Sequence, residues 1–261
     1  MNGRRTQAEV VIFASLFIAA VAMAAVALIE RRLGPSAAGW VAALPVTFAV
    51  AVLAVMLDAG TRPASTMALS AATHVPAQVA FGVVFAGVLV RRGLLPGAAA
   101  GALAYVACSV GVAGVPPGLA VASAIPLLAF APRLMAGGRP RVGAPRRRST
   151  TALICAAASV IVGAAVLTSR LAGPEAAGAV AAFPTVSTTL AVALVTRDGA
   201  PAGAHALTGL VRSLPSYLAF CLVAALAVPS AGLAAVALGL LACVAAARAT
   251  WRAVPVARPA R

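Results

Sequence analysis

GPSAAGWVAALP runs from Gly34 to Pro45, and GPEAAGAVAAFP runs from Gly173 to Pro184. Nine of the twelve positions are identical, at an offset of 139 residues. The likeness continues outward from this phrase. DAGTRPAS from Asp58 corresponds to RDGAPAGA from Arg197, two short acid-bearing loops. HVPAQVAF from His74 corresponds to SLPSYLAF from Ser213, and Pro76 and Pro215 keep the same offset. Two alanine-rich helices can resemble each other by chance. Glycines, prolines and loops matched through both halves are better explained by duplication of one unit.

The unit is built for lipid. Of 261 residues, 62% are hydrophobic and 10% are charged, whereas soluble domains carry about 25% charged residues. Mean hydropathy is +1.04. A globule of this size has too few polar groups to cover itself, so the bilayer must solvate most of the chain. The net charge of +15 comes from arginine, with no lysine present. These arginines fall in gaps between apolar runs and in the two tails. That pattern is the positive-inside bias of membrane proteins and not a nucleic-acid surface. The four cysteines, Cys108, Cys155, Cys221 and Cys243, each lie inside an apolar run without metal-ligand spacing and read as small buried hydrophobes. MNGRR before an apolar run resembles a secretory signal, but the run from Val10 to Ile29 is long enough to span and reads as a retained first helix.

A crossing helix needs about 20 mainly apolar residues. The segments that qualify are 9–30, 37–57, 69–90, 94–114, 117–133, 151–169, 176–196, 208–228 and 231–249. The expected fold is therefore an all-α integral membrane protein of nine crossings. Residues 1–114 form the first four-helix copy, and 115–150 form a linker helix and a basic loop. Residues 151–251 form the second copy, and 252–261 form a basic tail. The fifth segment is short and contains Pro126, so it either crosses or re-enters. If it crosses, the copies are inverted; if it does not, they are parallel. The loop from Arg133 to Arg148 and the C-terminus are expected in the cytoplasm, with sixteen arginines inside and four outside. Without the fifth crossing the division is fifteen to five, so charge alone does not separate the two topologies.

AGAVAAFPTVSTTLAVALVTRDGAPAGAHALTGLVRSLPSYLAFCLVAAL, Ala177 to Leu226, resembles the GlpM-type small bacterial inner-membrane proteins. Ala177-Gly178, Phe183-Pro184-Thr185 and the pair Pro215 with Tyr217 carry the likeness. The first copy departs from it, with Leu44 in place of the Phe and the threonine shifted to Thr47. The resemblance implies a four-helix unit and a bacterial inner (plasma) membrane address, and it implies no substrate.

Polar groups inside a membrane are costly and mark candidate sites. Pro45 and Pro184 interrupt segments 37–57 and 176–196. Thr47 follows the first, and Thr185, Ser187, Thr188 and Thr189 follow the second. One reading is a pair of broken helices whose free backbone groups and hydroxyls contact a substrate. The plainer one is a kink whose hydroxyls bond back to their own helix. A second cluster sets Thr73, His74, Pro76 and Gln78 against Arg212, Ser213, Pro215, Ser216 and Tyr217. There Arg212 either snorkels to the interface or, with His74, holds an anion. Both residues are expected ~9 Å inside their helix ends. The acids Glu9, Glu30, Asp58, Glu175 and Asp198 fall at helix ends or in loops, which argues against a carboxylate relay. Asp198 beside Arg197 and Asp58 near Arg62 read as caps or ion pairs. Gly34, Gly39, Gly82, Gly87, Gly173 and Gly178 give the helices small faces for close packing.

No phosphate-binding glycine loop, zinc motif or nucleophile elbow is present, so neither an enzyme, a cofactor nor a metal is expected. The expected function is a small secondary transporter or facilitator for a small solute, with an anion the class Arg212 would suit. The alternative is a non-transporting scaffold or accessory subunit of a partner enzyme. The expected partners are bilayer lipid, a small solute and, in a homo-oligomer, a second copy.

Overall fold

The computed structural model describes residues 17–21, 24, 45–135 and 148–252. Most of the segment 9–30, the first quoted phrase up to Leu44 with Gly34 and Gly39, most of the basic loop and the tail after 252 lie outside the described residues.

Among the described residues ten helices follow Pro45: α1 Val46–Ala59, α2 Thr61–Thr73, α3 Val75–Arg92, α4 Leu94–Val112, α5 Pro117–Leu134, α6 Arg148–Ala172, α7 Pro174–Ala182, α8 Thr185–Asp198, α9 Ala200–Ala231 and α10 Leu233–Arg252. Seven stretches among the described residues are long and apolar enough to cross a bilayer: α3, α4, α5, most of α6, α7 with α8, α9, and most of α10. α1 is apolar but shorter. The chain is a polytopic helical membrane protein. The stretch 117–133 of the sequence reading lies within one uninterrupted helix, α5, that runs through Pro126 and Pro132. It packs on α2, α3 and α9.

Single glycines turn the chain. Gly60 (φ 97) and Gly199 (φ 86) reverse it at matching positions, as do Gly93 (φ 88) and Gly232 (φ 50). Glycine adopts these left-handed values without the steric penalty other residues meet. The two loops expected after Asp58 and Arg197 therefore collapse to one residue each. α2 and α9 begin at Thr61 and Ala200, well before the expected 69 and 208. The reason is the position of Pro63 and Pro201. A first-turn proline lacks only an N–H that would have had no helical acceptor.

The starts of α1 and α8 match as closely as the turns. Pro45 has φ −79, ψ 52 and precedes α1; Pro184 has φ −79, ψ 57 and precedes α8. Thr61 to Arg92 spans α2 and α3 with a break at His74, and the same span shifted by 139 residues is α9.

α2 and α3 run antiparallel to α9 along their whole length. Ser65 Oγ donates to the Ala225 carbonyl at 2.6 Å. Farther on, Gly82 backs onto Val211, and the Leu89 side chain covers Gly203. As one chain position rises the other falls, so Gly60 and Gly199 lie at opposite ends of the bundle. Around this pair, α2 crosses α7, α1 packs on α6, and α10 closes against α9. The α2–α7 crossing is tight. A Cβ added at Gly178 would sit 2.5 Å from the Met67 carbonyl oxygen and from Ser70 Cβ. Small residues allow such an approach where lipid supplies no hydrophobic drive for helix association.

An ion pair lies at each end of the bundle. Asp58 takes a bidentate ion pair from Arg170 of α6, through Nε at 2.8 Å and through a second, shorter contact from the other guanidinium nitrogen. The sequence neighbour Arg62 is not the partner that the structure gives Asp58. At the other end Arg197 pairs with Asp198 at 3.4 Å. Among the cysteines Cys221 and Cys243 are buried and Cys108 and Cys155 half-buried, and all four are free thiols.

Candidate functional site between the matched prolines

The break between α7 and α8 arises from the proline. Pro184 has no N–H for the Val180 carbonyl, and the Phe183 N–H swings to Val180 at 3.1 Å instead of continuing to Ala179. The Ala179 carbonyl thereby loses its helical donor. Tyr105 of α4 replaces it, donating from its hydroxyl at 2.6 Å. Across the break, the Thr185 N–H donates to the Phe183 carbonyl at 2.7 Å.

The threonines beyond the break turn inward on their own helix. Thr188 Oγ1 donates to the Pro184 carbonyl at 2.8 Å, and Thr189 Oγ1 to Thr185 at 2.9 Å. Thr185 Oγ1 points to the Phe183 carbonyl at 3.4 Å. This is the kink reading of the run, in which Thr185 and Thr188 hold the break's geometry. Ser187 is half-buried on the same helix, and Thr47 follows Pro45 in α1.

Aromatic clusters abut both Pro45 and the Pro184 break. Phe48, three residues after Pro45, packs on Tyr217 (5.2 Å between ring centroids) and edge-on against Phe220 (5.9 Å). Phe183, one residue before Pro184, packs edge-on against Phe81 (5.5 Å) and Tyr105 (5.1 Å). Phe81 and Phe220 occupy equivalent positions in the two halves, again 139 apart.

Between the clusters lies a small polar centre. Gln78 of α3 and Tyr217 of α9 are themselves equivalent positions. The Tyr217 hydroxyl lies beside the Gln78 side chain and the Cys221 thiol. Neither the Gln78 Nε2 nor the Tyr217 hydroxyl is in hydrogen-bonding geometry with any protein group, although both atoms are buried, and the same holds for Ser216 Oγ, one residue before Tyr217. Gln78 is 3% exposed and Ser216 1%. Leaving such donors unmet costs about 1–3 kcal/mol each, which makes them conspicuous in a packed bundle.

His74 is also buried but already engaged. Its Nδ1 lies 2.7 Å from the Ser70 carbonyl, so that nitrogen carries the proton. Thr73 Oγ1 donates to the same carbonyl at 2.7 Å. Both side chains stabilise the end of α2 where Pro76 interrupts the helix ladder.

Arg212 corrects the sequence reading. It is the thirteenth residue of α9 and lies about 18 Å along it, not ~9 Å, because the helix starts earlier. It is exposed on the outer face of the bundle, whereas His74 is buried. The structure brings Gln78, Tyr217 and the helix breaks together and leaves Arg212 outside them. Sequence reasoning missed Phe48, Phe183 and Tyr105 as the walls of this centre. A usable signal existed for two of them, since Phe48 and Phe183 flank the matched prolines.

No family model, no curated protein and no solved structure matches the chain.

Proposed function

We propose that the two halves are inverted-topology repeats and that the protein is a small secondary transporter or facilitator. The observation that carries this reading is the buried Gln78–Tyr217 pair, two equivalent positions with unmet polar atoms where α3 and α9 pack antiparallel. An antiparallel pairing of equivalent helices implies a pseudo-two-fold axis perpendicular to them, which lies in the membrane plane. Transporters built this way hold substrate near the midplane, between broken helices. Pro184 breaks α7 from α8, and Pro45 opens α1 with nearly the same backbone angles.

The proposed solute is small, polar and uncharged. Gln78 and Tyr217 offer an amide and a hydroxyl without fixed charge, and the exposed Arg212 does not support an anion at this centre. The proposal extends the GlpM-type resemblance, with its bacterial inner-membrane address, to a fused pair of units. In it the basic loop 133–148 and the C-terminus face the cytoplasm.

Purified protein in liposomes, screened for flux of small polar solutes, tests the reading. A transported solute should lose at least about tenfold in flux with Gln78→Leu, an interaction worth roughly 1.4 kcal/mol or more. Tyr217→Phe should lower flux in the same direction. Flux of a transported solute that is indifferent to both changes would overturn the assignment of the centre. The absence of flux across the panel, together with a partner protein co-purifying stoichiometrically, would replace transport with the scaffold reading.

A further inference from the structure

A second site lies on the outside of the first half, at the end of the α3–α4 hairpin. Val84, Gly87, Val88 and Arg91 recur along one face of α3 at helical spacing, and Pro96 and Ala100 face them from α4. With Arg92 they line a groove of about 560 Å³. Its floor is apolar and its mouth carries two adjacent exposed guanidinium groups beside the Gly93 turn. The inner side of the same hairpin is closed, with Gly97 against the Leu89 backbone and Gly101 against Phe85. The outer side is open because Gly87 has nothing within 4 Å of where a side chain would begin.

The second half provides an internal control. The residues equivalent to Gly87, Arg91 and Arg92 are Leu226, Ser230 and Ala231. There a leucine, 81% exposed, stands where the groove would be, and both cations are missing. A charge bias that merely orients the protein accounts for Arg91 and Arg92 but not for the glycine beneath them. A trough two helical turns long, about 10 Å, that ends in paired cations is complementary to a phospholipid: chain methylenes along the floor, headgroup at the mouth.

We propose that this groove binds one anionic phospholipid, its acyl chain along Val84, Gly87 and Val88 and its phosphate between Arg91 and Arg92. Arginine forks suit a phosphate with two or more oxygens available. The site is independent of any transport reading, since it uses none of the residues at the helix breaks.

Native mass spectrometry of protein released from nanodiscs containing equal phosphatidylglycerol and phosphatidylcholine tests the proposal. Wild-type protein should retain phosphatidylglycerol preferentially. The Arg91→Ser/Arg92→Ala variant should lose that preference roughly tenfold or more. Gly87→Leu, which copies the second half and leaves the charge unchanged, should lose retention as well. Arg62→Ala, at the opposite end of the bundle, should change nothing. Because Gly87 is open to the surface and leucine is the better helix former, Gly87→Leu should melt no lower than the wild type, which separates loss of the site from loss of the fold. Retention unchanged in Gly87→Leu would overturn the proposal. So would equal retention of both lipids by the wild type, or binding of inorganic phosphate at Arg91 and Arg92 that does not require lipid.

Discussion

At the scale of single residues, the prolines dictate where other helices must lend a hydrogen bond. Pro229 sits inside α9 and cannot donate to the Ala225 carbonyl four residues earlier. Ser65 makes up the deficit from α2. Tyr105 does the same for Ala179 at the Pro184 break. The bundle thus joins its halves through bonds that the chain's own prolines made necessary. Ser65→Ala should destabilise the folded protein by about 0.6–1.5 kcal/mol, read by thermal or denaturant unfolding in detergent. In a Pro229→Ala background the helix regains its own donor, so the same change should cost much less. Equal cost in both backgrounds would break the link between proline and serine.

At the scale of elements, the proline break was legible and the packing faces were not. Proline acts on the backbone directly, so the break at Pro184 could be placed from its spacing, whereas the single-residue turns at Gly60 and Gly199 were read as longer loops. The starts of α2 and α9 were misplaced because Pro63 and Pro201 signal equally a loop and a first helical turn. The partners were hidden for a different reason. In a soluble helix the buried stripe is apolar and the rest polar, but here lipid-facing and bundle-facing sides are both apolar. Leu226 points outward while Phe220 is fully buried. Nothing in their chemistry separates them. For the same reason the Arg170 partner of Asp58 could not be read from residue order. Of the candidate site, the prolines, Gln78 and Tyr217 were visible beforehand, whereas their aromatic walls emerged only once the helices were packed. The crossing of α2 and α7 offers a direct check. Gly178→Val would press a branched side chain into the Met67 carbonyl and Ser70, both parts of a fixed helix. It should cost on the order of 1–3 kcal/mol, seen as a lowered melting temperature. Gly87→Val, on an open surface, should not lower the melting temperature, because valine is no worse a helix former than glycine.

At the scale of the whole molecule, antiparallel packing of α2–α3 on α9 sets Gly60 and Gly199 at opposite ends of the bundle. Single cysteines at these positions, in a background free of Cys108, Cys155, Cys221 and Cys243, should react with an impermeant thiol reagent from opposite sides of sealed vesicles. Labelling of both from one side would contradict the packing and the inverted reading with it. The same packing has a mechanical corollary. Pro76 and Pro215 fall at the midpoints of Thr61 to Arg92 and Ala200 to Ala231. Helices that bend do so at such prolines. A fulcrum halfway along two opposed rods gives equal lever arms, so any tilt that parts them at the Asp58–Arg170 end must pinch them together at the Arg91–Arg197 end, by a similar distance.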